Sequence, residues 1–117
     1  MTYVDGFVVP VPKKNIDAYM RMSRKAGKIW MEHGALSYKE CAGDDLNIKG
    51  VLTFPKGIGI KSGETVVFAF ITYKSRAHRD KVNAKVMADP RLEMMPSFMP
   101  FDPKRMMYGG FKAKVDL

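Results

Sequence analysis

Asp5, His33, Glu40, Cys41, His78, Asp102, Arg105 and Tyr108 are the side chains of this sequence whose types could carry acid–base, nucleophilic or charge-stabilising chemistry. Asp5 stands out because it interrupts the apolar run TYVDGFVV. A carboxylate inside such a strand is either paired or has its pKa raised by burial. By strand parity it shares a face with Tyr3, Phe7 and Val9, and the partner expected for it is Lys104 or Arg105 on the last strand. His33, followed by Gly34, reads as a helix-terminal cap before it reads as a general base. Cys41 reads as a small, half-buried residue, since no cationic neighbour in sequence would activate its thiol.

The two histidines, His33 and His78, are far apart and lack HxxxH or ExxH spacing, so no metal site is expected. No cofactor is expected either; haem held by His33 alone is the weaker reading. The glycine loop GIGIKSG, 57–63, fails both nucleotide-binding patterns. Ser62 stands where the third glycine of GxGxxG belongs, and no glycine precedes Lys61 as the P-loop requires.

The elements that must position these residues follow from periodicity and punctuation. TYVDGFVVPVP opens as a strand ended by prolines. A helix follows from Pro12 or Asn15 to His33, with Ile16, Tyr19, Met20, Ser23, Ala26, Gly27 and Trp30 on one stripe. ALSYKECA, 35–42, reads as a second strand. Residues 43–64 are an irregular excursion with one short strand around Val51 to Phe54. TVVFAFITY, 65–73, is the strongest strand, and Ser75 can cap a helix over Arg76 to Ala88 that Asp89-Pro90 ends. A Met- and Pro-rich loop leads to a last strand, Arg105 to Val115. The order is that of a ferredoxin-like βαββαβ α+β domain, a four-stranded antiparallel sheet with both helices on one face.

The length of 117 residues, 46% of them apolar, suits a single domain over 1–117 with a core of its own. One cysteine and no basic-then-apolar leader point to the cytoplasm, and the longest apolar run, Val66 to Ile71, is too short for a bilayer. The net charge of +8 is concentrated in two stretches. Residues 13–33 and 74–91 each hold six basic side chains against two acidic ones. These read as solvated helix faces before they read as a nucleic-acid surface. The RNA-binding alternative would use VVFAFITY as an RNP1-like segment, stacking bases on Tyr3, Phe68 and Phe70. Against it, Val66 and Val67 occupy the basic and glycine positions, and the cations lie on the helices.

The strand 65–73 is apolar on both faces, with Val66, Phe68 and Phe70 opposite Val67, Ala69 and Ile71. Two helices cover one face, so a second copy of the chain packed sheet to sheet is expected to cover the other. Gly109 and Gly110 in MPFDPKRMMYGGF, 99–111, would admit that partner's backbone or a bulky ring to the last strand. The methionines Met94, Met95, Met99, Met106 and Met107 fit a dimer seam, with a small apolar pocket as the second reading.

Three segments, VDGFVVPVPKKN, RDKVNAKVMADPR and MPFDPKRMMYGGF, resemble the signatures of the YbaA-like bacterial family, DUF1428, in the same order and spacing across the chain. The departures are Pro103, where the family pattern has glycine, and the spelling of the 43–64 excursion. The resemblance implies the dimeric α/β-barrel superfamily, in which two ferredoxin-like subunits pack sheet to sheet. Relatives there include cofactor-free monooxygenases, haem-degrading enzymes and isomerases, and fold alone assigns none of these activities. The working expectation is a protein that binds or transforms a small molecule without cofactor. Its pocket would lie between sheet and helices near Tyr3, Asp5, Phe7, Trp30, His33, Phe68 or Phe70, and Tyr108. A purely structural dimer is the remaining alternative.

Overall fold

The computed structural model describes residues 2–93 and 99–117. Strand β1 (Tyr3–Pro12) runs through a 3-10 turn (Lys13–Asn15) into helix α1 (Ile16–Glu32) and then strand β2 (Ser37–Ala42). The excursion carries a short helix, α2 (Phe54–Ile58), before strand β3 (Glu64–Tyr73). Helix α3 (Arg76–Met87), the single turn α4 (Pro90–Glu93), a 3-10 turn (Pro103–Arg105) and strand β4 (Met107–Lys112) complete the chain. The sheet order is β2-β3-β1-β4, all antiparallel. This is the α+β, ferredoxin-like arrangement expected from the order of elements. The molecule is 20 Å deep, the thickness of one sheet with one layer of helices.

The barrel expectation is corrected. The sheet is open, with β2 and β4 as its two edges. The dimer that the barrel implied is not supported by this fold. The outer face is covered in part from within the chain. Phe54 of α2 stands edge-on to Phe68 with ring centroids 6.1 Å apart, and Phe68 in turn lies against Phe70. Phe68 keeps 43% of its surface exposed.

Several boundaries also move. β1 itself ends at Pro12, as expected, and it passes through Pro10. Pairing with β4 ends at Val8, so beyond it β1 is an edge strand, where proline is tolerated. The stretch 51–54 is not a strand. Thr53 instead accepts a hydrogen bond from Lys56 N and caps α2, and Gly59 closes that helix at φ 71°, a left-handed conformation that glycine adopts freely. β4 begins at Met107 because Pro103 starts a 3-10 turn, with the Asp102 carboxylate accepting from Lys104 N at 3.0 Å.

Within α1, Tyr19, Ser23, Gly27 and Ile29 are buried. The first three lie on the expected stripe. Ile29 does not; it faces sideways into a cluster with Tyr3, Ala35, Ile71, Tyr73, Val82 and Val86 that joins α1, α3 and the sheet. A second cluster, Val9, Val11, Tyr19 and Val67, fills the other end. Phe7 packs against both. The core is thus divided, and the space between its halves is the site described next.

The glycines of β4 meet a ring of the same chain. A Cβ at Gly110 would collide with the Tyr3 phenol of β1, so glycine there lets an intramolecular ring approach. Met99 and Met106 belong to the cavity wall rather than to a dimer seam, whereas Met107 is exposed. Met94 and Met95 lie outside the described residues. No helix among the described residues is long and apolar enough to cross a membrane.

Candidate functional site

The small side chain of Ala69 is the centre of the site's floor. It sits in a row across the sheet formed by Glu40 on β2, Ala69 on β3, Phe7 on β1 and Tyr108 on β4. Neighbouring positions on this face carry Asp5, Ile71 and Tyr38. α1 crosses above and presents Tyr19, Ser23, Ala26 and Trp30 at helical spacing. Between them lies a cavity of about 620 Å³, bordered by Asn83 and Met87 of α3 and by Phe101 and Met106. A side chain larger than alanine at position 69 would occupy part of this volume.

Two groups of polar side chains reach the cavity. In the first, Asp5 is 1% exposed and accepts a hydrogen bond from Arg79 Nη1 at 2.9 Å. The same nitrogen donates to Tyr108 Oη at 2.8 Å, and Nη2 to Tyr3 Oη at 3.3 Å. Tyr108 stacks on Phe7 with centroids 4.8 Å apart. Beside this group, Trp30 Nε1 and Tyr73 Oη both donate to Asn83 Oδ1, at 3.1 and 3.3 Å. Burial pushes the Asp5 carboxyl above its ordinary range, and the Arg79 charge opposes that rise.

The second group centres on Glu40. Tyr19 Oη donates to Glu40 Oε2 at 2.9 Å, and Tyr38 Oη lies 3.5 Å from Oε1, at the limit of a hydrogen bond. Ser23 Oγ and Tyr38 Oη are 3.0 Å apart. Burial raises the Glu40 carboxyl above 4.5, with hydrogen bonds from Ser23, Tyr19 and Tyr38 pulling the other way. Burial likewise pushes Tyr38 up to about 12, so this phenol remains a neutral donor. A raised carboxyl beside neutral hydroxyls in an apolar cavity can hold or move a proton.

Of the residues expected at a pocket, Asp5, Phe7, Trp30 and Tyr108 line this cavity. Tyr3 does not line it; its hydroxyl accepts from Arg79, which also binds Asp5 and Tyr108. Phe68 and Phe70 lie on the opposite face, paired across from Val8 and Gly6, which places them away from the cavity. Tyr3 therefore does not share a face with them, and the three rings cannot form one base-stacking platform. His33 is the α1 C-cap, with Nε2 2.8 Å from the Asp89 carboxylate, tying α1 to the segment after α3. His78 Nδ1 accepts from Lys74 N, a local turn contact.

Two further expectations are corrected. The cation on Asp5 is Arg79 from α3, not a residue of the last strand. Arg105 instead holds the excursion, through Glu64 at 2.6 Å and the Gly59 carbonyl at 2.9 Å. Cys41 is exposed rather than half-buried. Most members of the two basic stretches are exposed, as expected of solvated helix faces, but Arg79 and Arg91 are held in ion pairs.

Sequence reasoning missed Tyr19, Tyr38, Ser23, Arg79 and Asn83 as parts of one site. A signal existed for some of them. Ser23 is the polar residue in an otherwise apolar stripe, and Tyr38 and Glu40 are two apart on one strand, hence on one face. Nothing in the spacing pointed to Arg79, since a helix packed across the sheet brings it in.

The family described as "Protein of unknown function (DUF1428)" matches residues 2–103. The "Uncharacterized protein YbaA" of Escherichia coli (strain K12) is 45% identical over 116 residues, which cover 99% of this chain and 99% of that protein. The protein of the same name from Shigella flexneri matches to the same extent. Among solved structures, the "De novo designed protein Foldit4" is similar over 95% of this chain and 94% of its own, at 8% identity and a TM-score of 0.45.

Proposed function

The chain belongs to the DUF1428 family, and we propose that it binds a small, mostly apolar molecule between α1 and the sheet. The observation that carries this reading is the cavity of about 620 Å³, walled by apolar side chains with two polar groups. That combination of size and lining is the usual form of a small-molecule site. Glu40 and its hydroxyl partners would let such a site transform its ligand by proton transfer without a cofactor. The lone cysteine is in keeping with a cytoplasmic protein.

Trp30 is the single tryptophan and lines the cavity, so it reports occupancy directly. The uncharged dye N-phenyl-1-naphthylamine is expected to bind saturably at one site per chain, with energy transfer from Trp30. Ala69→Phe fills the floor and should abolish that signal while leaving the circular dichroism unchanged. Unsaturable dye binding, or binding that survives Ala69→Phe in a folded protein, would refute the reading.

A further inference from the structure

We propose that the cavity selects an uncharged, rod-like apolar molecule carrying an oxygen function at each end. This deepens the small-molecule reading and rests on it. The two polar groups stand apart on the floor, Glu40 with Tyr19 and Tyr38 at one end, and Tyr108 with Arg79 and Asp5 at the other. Between them the floor is Phe7, Ala69 and Ile71, with no polar side-chain atom. Glu40 lies two strands from Asp5 and one same-face step along the sheet. Strand spacing and rise put these main-chain positions roughly 12 Å apart. A molecule with one polar end would leave the other group facing apolar surface, which costs a desolvated hydrogen bond.

Charge narrows the class further. An anion would meet the carboxyls of both Glu40 and Asp5. A cation would stand in an apolar cavity whose inner carboxylate is already engaged by Arg79. A neutral oxygen function suits both ends, because each offers a phenol hydroxyl beside a carboxyl and brings no charge to balance.

Displacement of N-phenyl-1-naphthylamine by biphenyl, 4-hydroxybiphenyl, 4,4′-biphenol and biphenyl-4,4′-dicarboxylate tests this. The expected order is biphenol, then hydroxybiphenyl, then biphenyl. Each hydroxyl should be worth up to about tenfold in affinity, and the dicarboxylate should bind more weakly than biphenol. Glu40→Leu should bring biphenol down to the affinity of hydroxybiphenyl. Tyr108→Phe, at a half-exposed position where folding is not at stake, should do the same. Equal binding of the three uncharged probes to the wild-type protein would overturn the two-ended reading and leave the cavity reading standing. So would tighter binding of the dicarboxylate. Failure of every probe and of the dye itself would overturn both.

Discussion

Glu40 carries its carboxyl into a half-buried position where the groups that bond it are hydroxyls, and that choice has a thermodynamic consequence. Because burial raises its pKa above 4.5, the stability linked to its protonated form is complete below that ordinary value. It is lost as pH rises through the raised value. The wild-type melting temperature is therefore expected to fall between mildly acidic and neutral pH. Glu40→Gln keeps an acceptor for Tyr19 but cannot ionise. Its profile over the same range should be flatter, leaving it more stable at neutral pH by on the order of 1 kcal/mol, the cost of one poorly solvated group. Some slope should remain, because Asp5 is raised in the same direction. A wild-type profile that rises over this range, or one that the substitution leaves unchanged, would contradict the assignment. Glu40 itself was visible in the sequence as a possible acid–base group. Of its surroundings only Tyr38, two residues away on β2, was legible; Tyr19 and Ser23 come from α1.

At the scale of elements, α1 and β2 meet through a glycine. A Cβ on Gly27 would stand 2.7 Å from the Tyr38 ring, so the helix lies against that ring only because the side chain is absent. Gly27→Ala gains about 1 kcal/mol of helix propensity. It also overpacks the α1–β2 contact, at a cost of roughly 1–3 kcal/mol. The net expectation is a lower denaturation midpoint with an unchanged denaturant slope, and weaker dye binding as Tyr38 is displaced. A stabilised variant would show that α1 can lift without cost. The stripe that places Gly27 on the sheet side was legible from its spacing with Ser23 and Trp30. Ile29 was not, because it serves the lateral contact with α3, and α3 buries only Val82 and Val86. The helix at 54–58 was misread as strand from the run VLTF. Pro55 and the Thr53 cap were the opposing signals, and they prevailed because a proline cannot supply a ladder donor.

For the whole molecule, the outer face of the sheet decides how the excursion is held. Phe54 meets Phe68 edge-on, and Arg105 fixes the loop's far end through Glu64 and Gly59. A double-mutant cycle of Phe54→Ala and Phe68→Ala should give a coupling energy of about 0.5–1.5 kcal/mol, towards the low end because both rings are partly exposed. Additive effects would mean that the excursion does not lean on the sheet in solution. The same face led the sequence reading to a closed dimeric barrel. Two-sided apolar strands need cover, and residues 43–63 supply part of it from within the chain.

Alternation, helical spacing and turn residues determined the order of elements, and with it a four-stranded antiparallel sheet and the face on which each strand residue lies. These are local properties, set by a two-residue or 3.6-residue repeat along the chain. Tertiary structure alone decided that Arg79 neutralises Asp5, that Glu40 is ringed by hydroxyls, and that the core divides around Ala69 to leave a cavity. Those outcomes depend on where α1 and α3 cross the sheet. That crossing is set by the packing of whole surfaces, and no periodicity within a single element encodes it.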